Sequence, residues 1–414
     1  MDYKNKLLSP VKIGNLECQN RFFANAMECT DADKDGNPTD LTYRRYENLF
    51  KGQFGMVDLE AITITLDSRA RECQLSIMPK NEKAIKNFVS KMKEINPKAL
   101  FVFQLTHSGE LSNDAFSRKV TPKPLPGFGG DLMTEEDVDK MIDEFVLASK
   151  IAHEAGADGI DMKFCHGYLG NQILRPYNDR KWKYGGSWEN RSRFAYELYE
   201  RISKAVNDKN FLIGSKISLW EGFPGGFGSA GPTSPVMDLT EPLELIKGLE
   251  ERGASYFVET IGHPALNISY VECDRDHPYL VYLHSYFASQ IKKIVKPGTV
   301  VIGSHFSVFK NGKGNGIDGV TDENKTLFGY GAQCIDEGIV DMIGLGRQSF
   351  ADPFTPLKLM ENREDQIKYC TLCLHCLELM IRQKEVGCAT FDKYYTEKLV
   401  ETRKAFGALR QMHT

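Results

Sequence analysis

Nothing in this 414-residue sequence is built to cross a bilayer: no apolar run approaches the roughly 20 residues that a spanning helix needs. No secretory leader is expected either. Met1-Asp2-Tyr3-Lys4-Asn5-Lys6 leads only into Leu7-Leu8 before Ser9-Pro10, too short for an apolar leader core. Together these absences predict a cytoplasmic protein. There is no surplus of basic residues, and a net charge of −4 argues against a nucleic-acid-binding face. No GxGxxG dinucleotide fingerprint follows a strand-like run. What the chain does have is 41% hydrophobic and 26% charged residues, a globular mixture sufficient for one large domain or two ordinary ones.

Its ten cysteines are unevenly placed. Cys18, Cys29, Cys73, Cys165, Cys273 and Cys334 are scattered, whereas Cys370, Cys373, Cys376 and Cys388 crowd into one segment. In a large chain without a leader, such crowding favours metal or cluster ligation over disulfides. Three closely spaced thiols and one distant thiol suit a [4Fe–4S] cluster first, structural zinc second and free thiols last. His375, among them, is either a spectator or a substitute ligand.

Short β-branched and aromatic runs alternate with amphipathic stretches. The predicted strands are Phe22–Ala26, Met56–Ile64, Ala99–Thr106, Gly159–Phe164, Phe211–Ser218, Tyr256–Ile261, Thr299–Ser304 and Met342–Leu345. Helices are expected over Glu82–Ile95, Glu135–Glu154, Glu189–Val206 and Glu241–Arg252. Glycines after the helices, at Gly156, Gly253 and Gly338, mark helix-to-strand joints of βα units. Eight such units predict a (β/α)₈ TIM barrel rather than an open doubly wound sheet. An opening hairpin turning at Gly14-Asn15 is expected to plug the barrel's bottom. Gly-rich stretches at Gly222–Gly231 and Asn311–Gly319 are expected over its mouth. The barrel is assigned to residues 1–360, and a Cys-rich extension with a helix over Tyr394–Leu409 to residues 361–414.

Barrel enzymes carry their chemistry at the C-terminal ends of the strands. The fourth strand ends in Lys163-Phe164-Cys165-His166-Gly167-Tyr168. Lys163 and His166 could hold a carbonyl or carboxylate oxygen and polarise a conjugated double bond, and Tyr168 could protonate the resulting carbon. A self-satisfied polar loop is the bland alternative. For three such groups at one strand end, function is the better reading. After strands seven and eight, Gly303-Ser304-His305 and Gly346-Arg347 offer close backbone approach and a fixed positive charge to a phosphate. Tight turns alone also explain glycines there. Gln104 could pair with the edge of a planar heterocycle. Lys216, inside the fifth strand, faces either an anionic ligand or a buried carboxylate.

Five motifs carry a family resemblance: Asn20-Arg21-Phe22-Phe23 with Met27, Gln104-Leu105-Thr106-His107-Ser108-Gly109, His166-Gly167-Tyr168-Leu169 with Gln172, Tyr184-Gly185-Gly186-Ser187-Trp188-Glu189-Asn190-Arg191-Ser192-Arg193, and Gly344-Leu345-Gly346-Arg347 followed by Ala351-Asp352-Pro353. From about Leu8 to about Pro353 the chain resembles the Old Yellow Enzyme family of FMN-dependent ene-reductases. Its four cysteines make it similar to the branch with 2,4-dienoyl-CoA reductase and 2-enoate reductase, in which they hold a [4Fe–4S] cluster. In that branch the Cys373–Cys376 spacing is commonly one residue longer.

The resemblance implies that Ala26, Met27 and Ala61 pass the flavin through their backbones. It also implies that Gln104 contacts the pyrimidine ring and Lys216 the N1–O2 edge. Gly303, Ser304, Gly346 and Arg347 would hold the FMN phosphate, Lys163 and His166 the substrate oxygen, and Tyr168 the donated proton. Lys163 stands where the family keeps histidine, which favours a carboxylate-bearing substrate. Glu28 stands where threonine or cysteine usually tunes the flavin.

Multidomain members continue into FAD- and NAD(P)H-binding domains, which are not expected here. Electrons are therefore expected from NAD(P)H directly, or from a flavodoxin-like or NAD(P)H-oxidising partner protein. The expected substrate is an activated alkene: a 2-enoate, an enoyl thioester, an enone or a linear tetrapyrrole such as bilirubin. The rivals are amine dehydrogenation, marked by an aromatic cage, a non-catalytic flavin or iron–sulfur electron carrier, and a zinc-stabilised subunit of a complex.

Overall fold

The computed structural model describes residues 2–274, 276, 277, 279–310 and 326–412. Eight strands form a closed barrel in sequence order: β1 (Phe22–Ala24), β2 (Met56–Thr63), β3 (Leu100–Thr106), β4 (Gly159–Phe164), β5 (Leu212–Ser218), β6 (Ala254–Thr260), β7 (Val300–Gly303) and β8 (Met342–Leu345). Every pairing is parallel, and β8 closes on β1 through Ile343–Phe22, Gly344–Phe23 and Leu345–Ala24. A helix follows each strand: α1 (Asp40–Lys51), α2 (Glu82–Ile95), α3 (Glu135–Glu154), α4 (Trp188–Val206), α5 (Thr240–Glu251), α6 (Leu280–Lys292), α7 (Leu327–Asp336) and α8 (Thr355–Met360). This is the (β/α)₈ architecture that the alternation predicts.

Periodicity explains the helices. In α2, Ile85, Phe88, Val89 and Met92 recur on one face and are buried there. At the start of α3 the Thr134 and Asp137 side chains cap one another's backbone N–H groups. Gly156 and Gly253 then take φ values of 92° and 99°, a left-handed turn that releases the chain into the next strand.

The apolar interior has two main layers. One lies between strands and helices. The other fills the barrel's N-terminal end with Phe23, Met56, Leu100, Leu212, Tyr256 and Val300, joined by Ile13 and Cys18. Those last two come from the opening hairpin, whose strands Val11–Ile13 and Leu16–Cys18 pair antiparallel and plug the bottom as expected.

The extension packs onto the opposite, C-terminal end. Leu379, Val386, Ala389, Tyr395 and Leu399 form a small core with Cys29, and Leu41 and Phe350 lean against it. Two helices build it, His375–Ile381 and Lys393–Met412. The Gly222–Gly231 stretch follows β5 at the C-terminal end; its Ser229, Ala230 and Gly231 line a separate depression with Pro176, Arg191 and Asp238, and Glu221 just before it pairs with the buried Arg175. The Asn311–Gly319 stretch lies outside the described residues.

Candidate active site

At the C-terminal end of the strands lies a cavity that opens to solvent. Its wall includes Ala26, Met27, Glu28, Gln104, Lys163, His166, Tyr168, Lys216, Ser304, Gly346 and Arg347, drawn from six of the eight strands or the loops after them, and Arg71 and Thr260 add the other two. Most of the sequence-predicted residues therefore meet in one place. Ala61 and Gly303 do not line it. The Ala61 carbonyl accepts a hydrogen bond from Gln74 Nε2 at 2.8 Å. A Cβ on Gly303 would meet Val340 Cγ1 at 2.7 Å, so this glycine is needed for packing.

The wall has two chemically distinct ends. At the β4 end, His166 adopts a left-handed φ of 56°. Its backbone N–H donates to Ser218 Oγ at 3.1 Å, and its Nε2 lies 2.9 Å from Thr260 Oγ1. Burial, then the charges of Lys216 and Lys163, push the imidazole well below its ordinary pKa, so it works as a neutral hydrogen-bonding group. Tyr168 Oη donates to Glu28 Oε2 at 2.5 Å. Lys163 Nζ lies 3.4 Å from the same oxygen and 3.4 Å from the centroid of the Tyr168 ring. The charge of Lys163 is thus already answered by Glu28, which removes the electrostatic argument for a carboxylate on the substrate.

Burial works to raise the Glu28 carboxyl, but Lys163, Arg71 and the Tyr168 hydroxyl outweigh it and hold the group below the usual carboxylate range. Burial and then the Glu28 charge push the Tyr168 phenol well above its ordinary value.

At the β7–β8 end, Arg347 donates through Nη2 to the Cys273 carbonyl. Among the described residues its Nη1 has no hydrogen-bond partner, and Glu272 Oε2 lies loosely beside it at 3.9 Å. Lys216 Nζ has a neutral partner, Asn25 Oδ1, at 3.2 Å. A fixed cation with an unused donor and a buried ammonium that hydrogen-bonds an amide, with the Asp58 and Asp161 carboxylates as charged neighbours, fit a phosphorylated, flat, electron-rich ligand such as the expected FMN.

Gln104 is braced from below. Its Nε2 donates to Asp161 Oδ2 at 2.7 Å, which leaves its amide oxygen as an acceptor. Beside Asp161 lies Asp58, which burial and that neighbouring carboxylate push well above its usual pKa. Sequence reasoning missed Asp161, Asn25, Arg71 and Glu272. Asp58 and Asp161 did leave a signal, a carboxylate inside each of two buried strands, beside Glu60 in one and Lys163 in the other.

The cysteine segment adjoins this wall: Cys376, Leu377, Met380 and Val386 all line the cavity. Cys370, Cys376 and Cys388 are raised chiefly by burial. Cys373 is lowered: burial opposes this, but Thr390, Thr371 and the backbone N–H of His375 stabilise its thiolate. Leu372 and Leu374, on either side of Cys373, both take left-handed φ values, 54° and 59°. Such alternation turns successive N–H groups inward and cradles an anion, at a backbone cost that leucine ordinarily avoids. These donors fit a sulfur-rich anionic cluster.

Among the described residues, the set of three metal-type side chains whose ligand atoms lie within 4.8 Å is a different one: Cys273, His284 and His305. The His284 and His305 rings stack with centroids 3.4 Å apart and planes at 20°. Both His284 nitrogens are already engaged, by Glu259 Oε1 and the Tyr270 carbonyl, each at 2.9 Å, and His305 Nε2 lies 2.6 Å from the Val271 carbonyl, which argues against a shared ion.

Comparison with known proteins places these features in context. Residues 6–257 match the NADH:flavin oxidoreductase / NADH oxidase family. The chain is 27% identical over 431 residues to the cinnamate reductase of Clostridium sporogenes, covering 98% of this chain and 60% of that protein. It is 24% identical over 394 residues to the N,N-dimethylglycine/sarcosine dehydrogenase of Chromohalobacter salexigens, covering 92% and 52%. In fold it is similar to a 2-naphthoyl-CoA reductase solved with 2-naphthoyl-CoA, with a TM-score of 0.79 at 20% identity, covering 95% of this chain and 58% of that one. The chain thus spans little more than half the length of these relatives.

Proposed function

This chain belongs to the NADH:flavin oxidoreductase / NADH oxidase family, a family of flavin-dependent oxidoreductases, and on that premise we propose that it is an FMN-dependent ene-reductase acting on an activated C=C bond. The observation that carries the reading is the meeting of Lys163, His166 and Tyr168 on one wall of the cavity that Lys216 and Arg347 also line. When bound, reduced FMN supplies the hydride. Arg347, with the backbone at Ser304 and Gly346, holds its phosphate. Lys216 and the Gln104 amide oxygen face the pyrimidine edge, and Ala26 and Met27 border the ring. His166 and Lys163 donate hydrogen bonds to the substrate's activating oxygen, drawing electron density from the alkene. Tyr168 gives a proton to the carbon that becomes nucleophilic.

Cys370, Cys373, Cys376 and Cys388 hold a [4Fe–4S] cluster, supported by the inward-turned backbone around Cys373. Its place beside the cavity suits electron delivery from a flavodoxin-like or NAD(P)H-oxidising protein, while NAD(P)H binding at the cavity is the direct route. Enoyl thioesters and enones fit a substrate end whose lysine is neutralised by Glu28 better than free 2-enoates or tetrapyrrole acids do. Amine dehydrogenation is the second reading, favoured by the Glu28 carboxylate in the wall. The aromatic side chains among the described lining residues are Tyr168 and Phe350, which make no cage for a cation.

The reading is tested by mixing flavin-reduced protein with an enone without oxygen. Reoxidation coupled to saturated product is expected. Inertness to enones together with reduction of the oxidised flavin by amines would transfer the assignment to the second reading.

A further inference from the structure

A phenol carries one proton to give. In this site that proton is already committed, because Tyr168 Oη donates it to Glu28 Oε2. The carboxylate is buried between two cations, Lys163 on one oxygen and Arg71 Nε 3.6 Å from the other, and that second oxygen accepts no hydrogen bond. The titratable and charged groups facing the pair are Lys163 and Cys165 from the end of β4, Arg71 from the loop after β2, and Cys29 beside Glu28.

Suppose Tyr168 gave up its proton while Glu28 remained ionised. Two anions would then share a hydrogen bond that has lost its hydrogen, in a buried setting. With Glu28 protonated, the same transfer ends in a neutral phenol donating to a carboxylate, which is the arrangement seen. The observed pair is therefore the discharged state, one proton short of what a reduction requires.

We infer that Glu28 is the positioning residue of the proton step, passing a proton to Tyr168 as Tyr168 protonates the substrate. This rests on the ene-reductase reading. In balance, the alkene's π bond is replaced by two C–H bonds, one formed from the hydride of the reduced flavin and one from the Tyr168 proton. The flavin is oxidised and the alkene reduced. The Tyr168 Oη–H bond breaks and is re-formed with the Glu28 carboxyl proton, and the Glu28 carboxylate is recharged from water. Run backwards, as in a dehydrogenation, the same pair accepts a proton with no prior loading. Glu28 is also 140 positions from Tyr168 in the chain, so only the closed barrel brings the two together.

The test uses flavin-loaded protein reduced without oxygen and mixed with cyclohexenone. In the wild type, the rate of flavin reoxidation falls roughly tenfold per pH unit between about pH 6 and about pH 8, because the loaded pair is the minority form there. Glu28→Gln abolishes that slope, and Glu28→Asp restores it. An unchanged slope in Glu28→Gln overturns the proposal.

A second readout needs no turnover. Tyr168 ionisation is followed by tyrosinate absorbance as the difference from Tyr168→Phe, and Glu28→Gln shifts it to lower pH. If neither cyclohexenone nor an enoyl thioester reacts with the wild type, the ene-reductase reading fails and this titration alone decides the pairing. A shift sustains it, and no shift overturns it.

Discussion

The two ends of the barrel are made from the same eight strands and have opposite characters. At the N-terminal end, Ile13 and Cys18 of the hairpin close over Phe23, Met56, Leu100, Leu212 and Tyr256 in an apolar plug. At the C-terminal end, Lys163, Lys216, Arg347, Glu28, Glu272 and His166 surround a cavity, and several of their polar atoms have no hydrogen-bond partner among the described residues. The apolar end gains stability from buried area. The polar end gives stability up, since unsatisfied buried donors and carboxylates cost free energy that a ligand can return. Stability and chemistry are separated along the axis of each strand.

That division is open to direct attack. Tyr168→Phe is the severest change to the polar end: alkene reduction should slow about 10²–10⁴-fold while thermal stability and flavin content stay level, checked by anaerobic stopped-flow beside a melting curve. Equal loss in flavin reduction by the electron donor would contradict a role confined to the proton step. Ile13→Ala attacks the plug and should cost about 2–5 kcal/mol of stability in denaturant unfolding, with FMN affinity unchanged. Arg347→Gln should weaken FMN about 10–100-fold by fluorescence titration of the apoprotein, with little effect on folding.

The smallest effect concerns His284, buried beneath the polar end. Burial alone would lower its pKa, but Glu259, 2.9 Å from Nδ1, and a hydrogen bond to Cys273 raise it to about 10. The stability from this pair is fully present below about pH 6.5 and lost as pH rises through about 10. Unfolding midpoints should therefore drop across that window in the wild type and more shallowly in His284→Gln.

The architecture was legible because its signals are local. Strand runs, amphipathic helices and Gly156 and Gly253 at the joints each span a few residues, and the observed strands begin and end within about two residues of expectation. The opening hairpin was readable from Gly14-Asn15 for the same reason. The site was legible where a strand end gathers its groups consecutively, as Lys163, His166 and Tyr168 do.

What escaped is non-local. The pairing of Glu28 with Tyr168, the bracing of Gln104 by Asp161, and the closing of the cavity by Met380 and Val386 all join segments far apart in sequence. Gly303 shows the converse, a residue placed in the site by its motif whose missing side chain makes room for Val340.

The most direct test of the central claim is to reduce the flavin-loaded protein without oxygen, add one equivalent of cyclohexenone and record the flavin spectrum beside the product. Return of the oxidised spectrum with one equivalent of saturated ketone is the predicted result. A flavin that stays reduced in the presence of enones and enoyl thioesters alike would contradict the assignment.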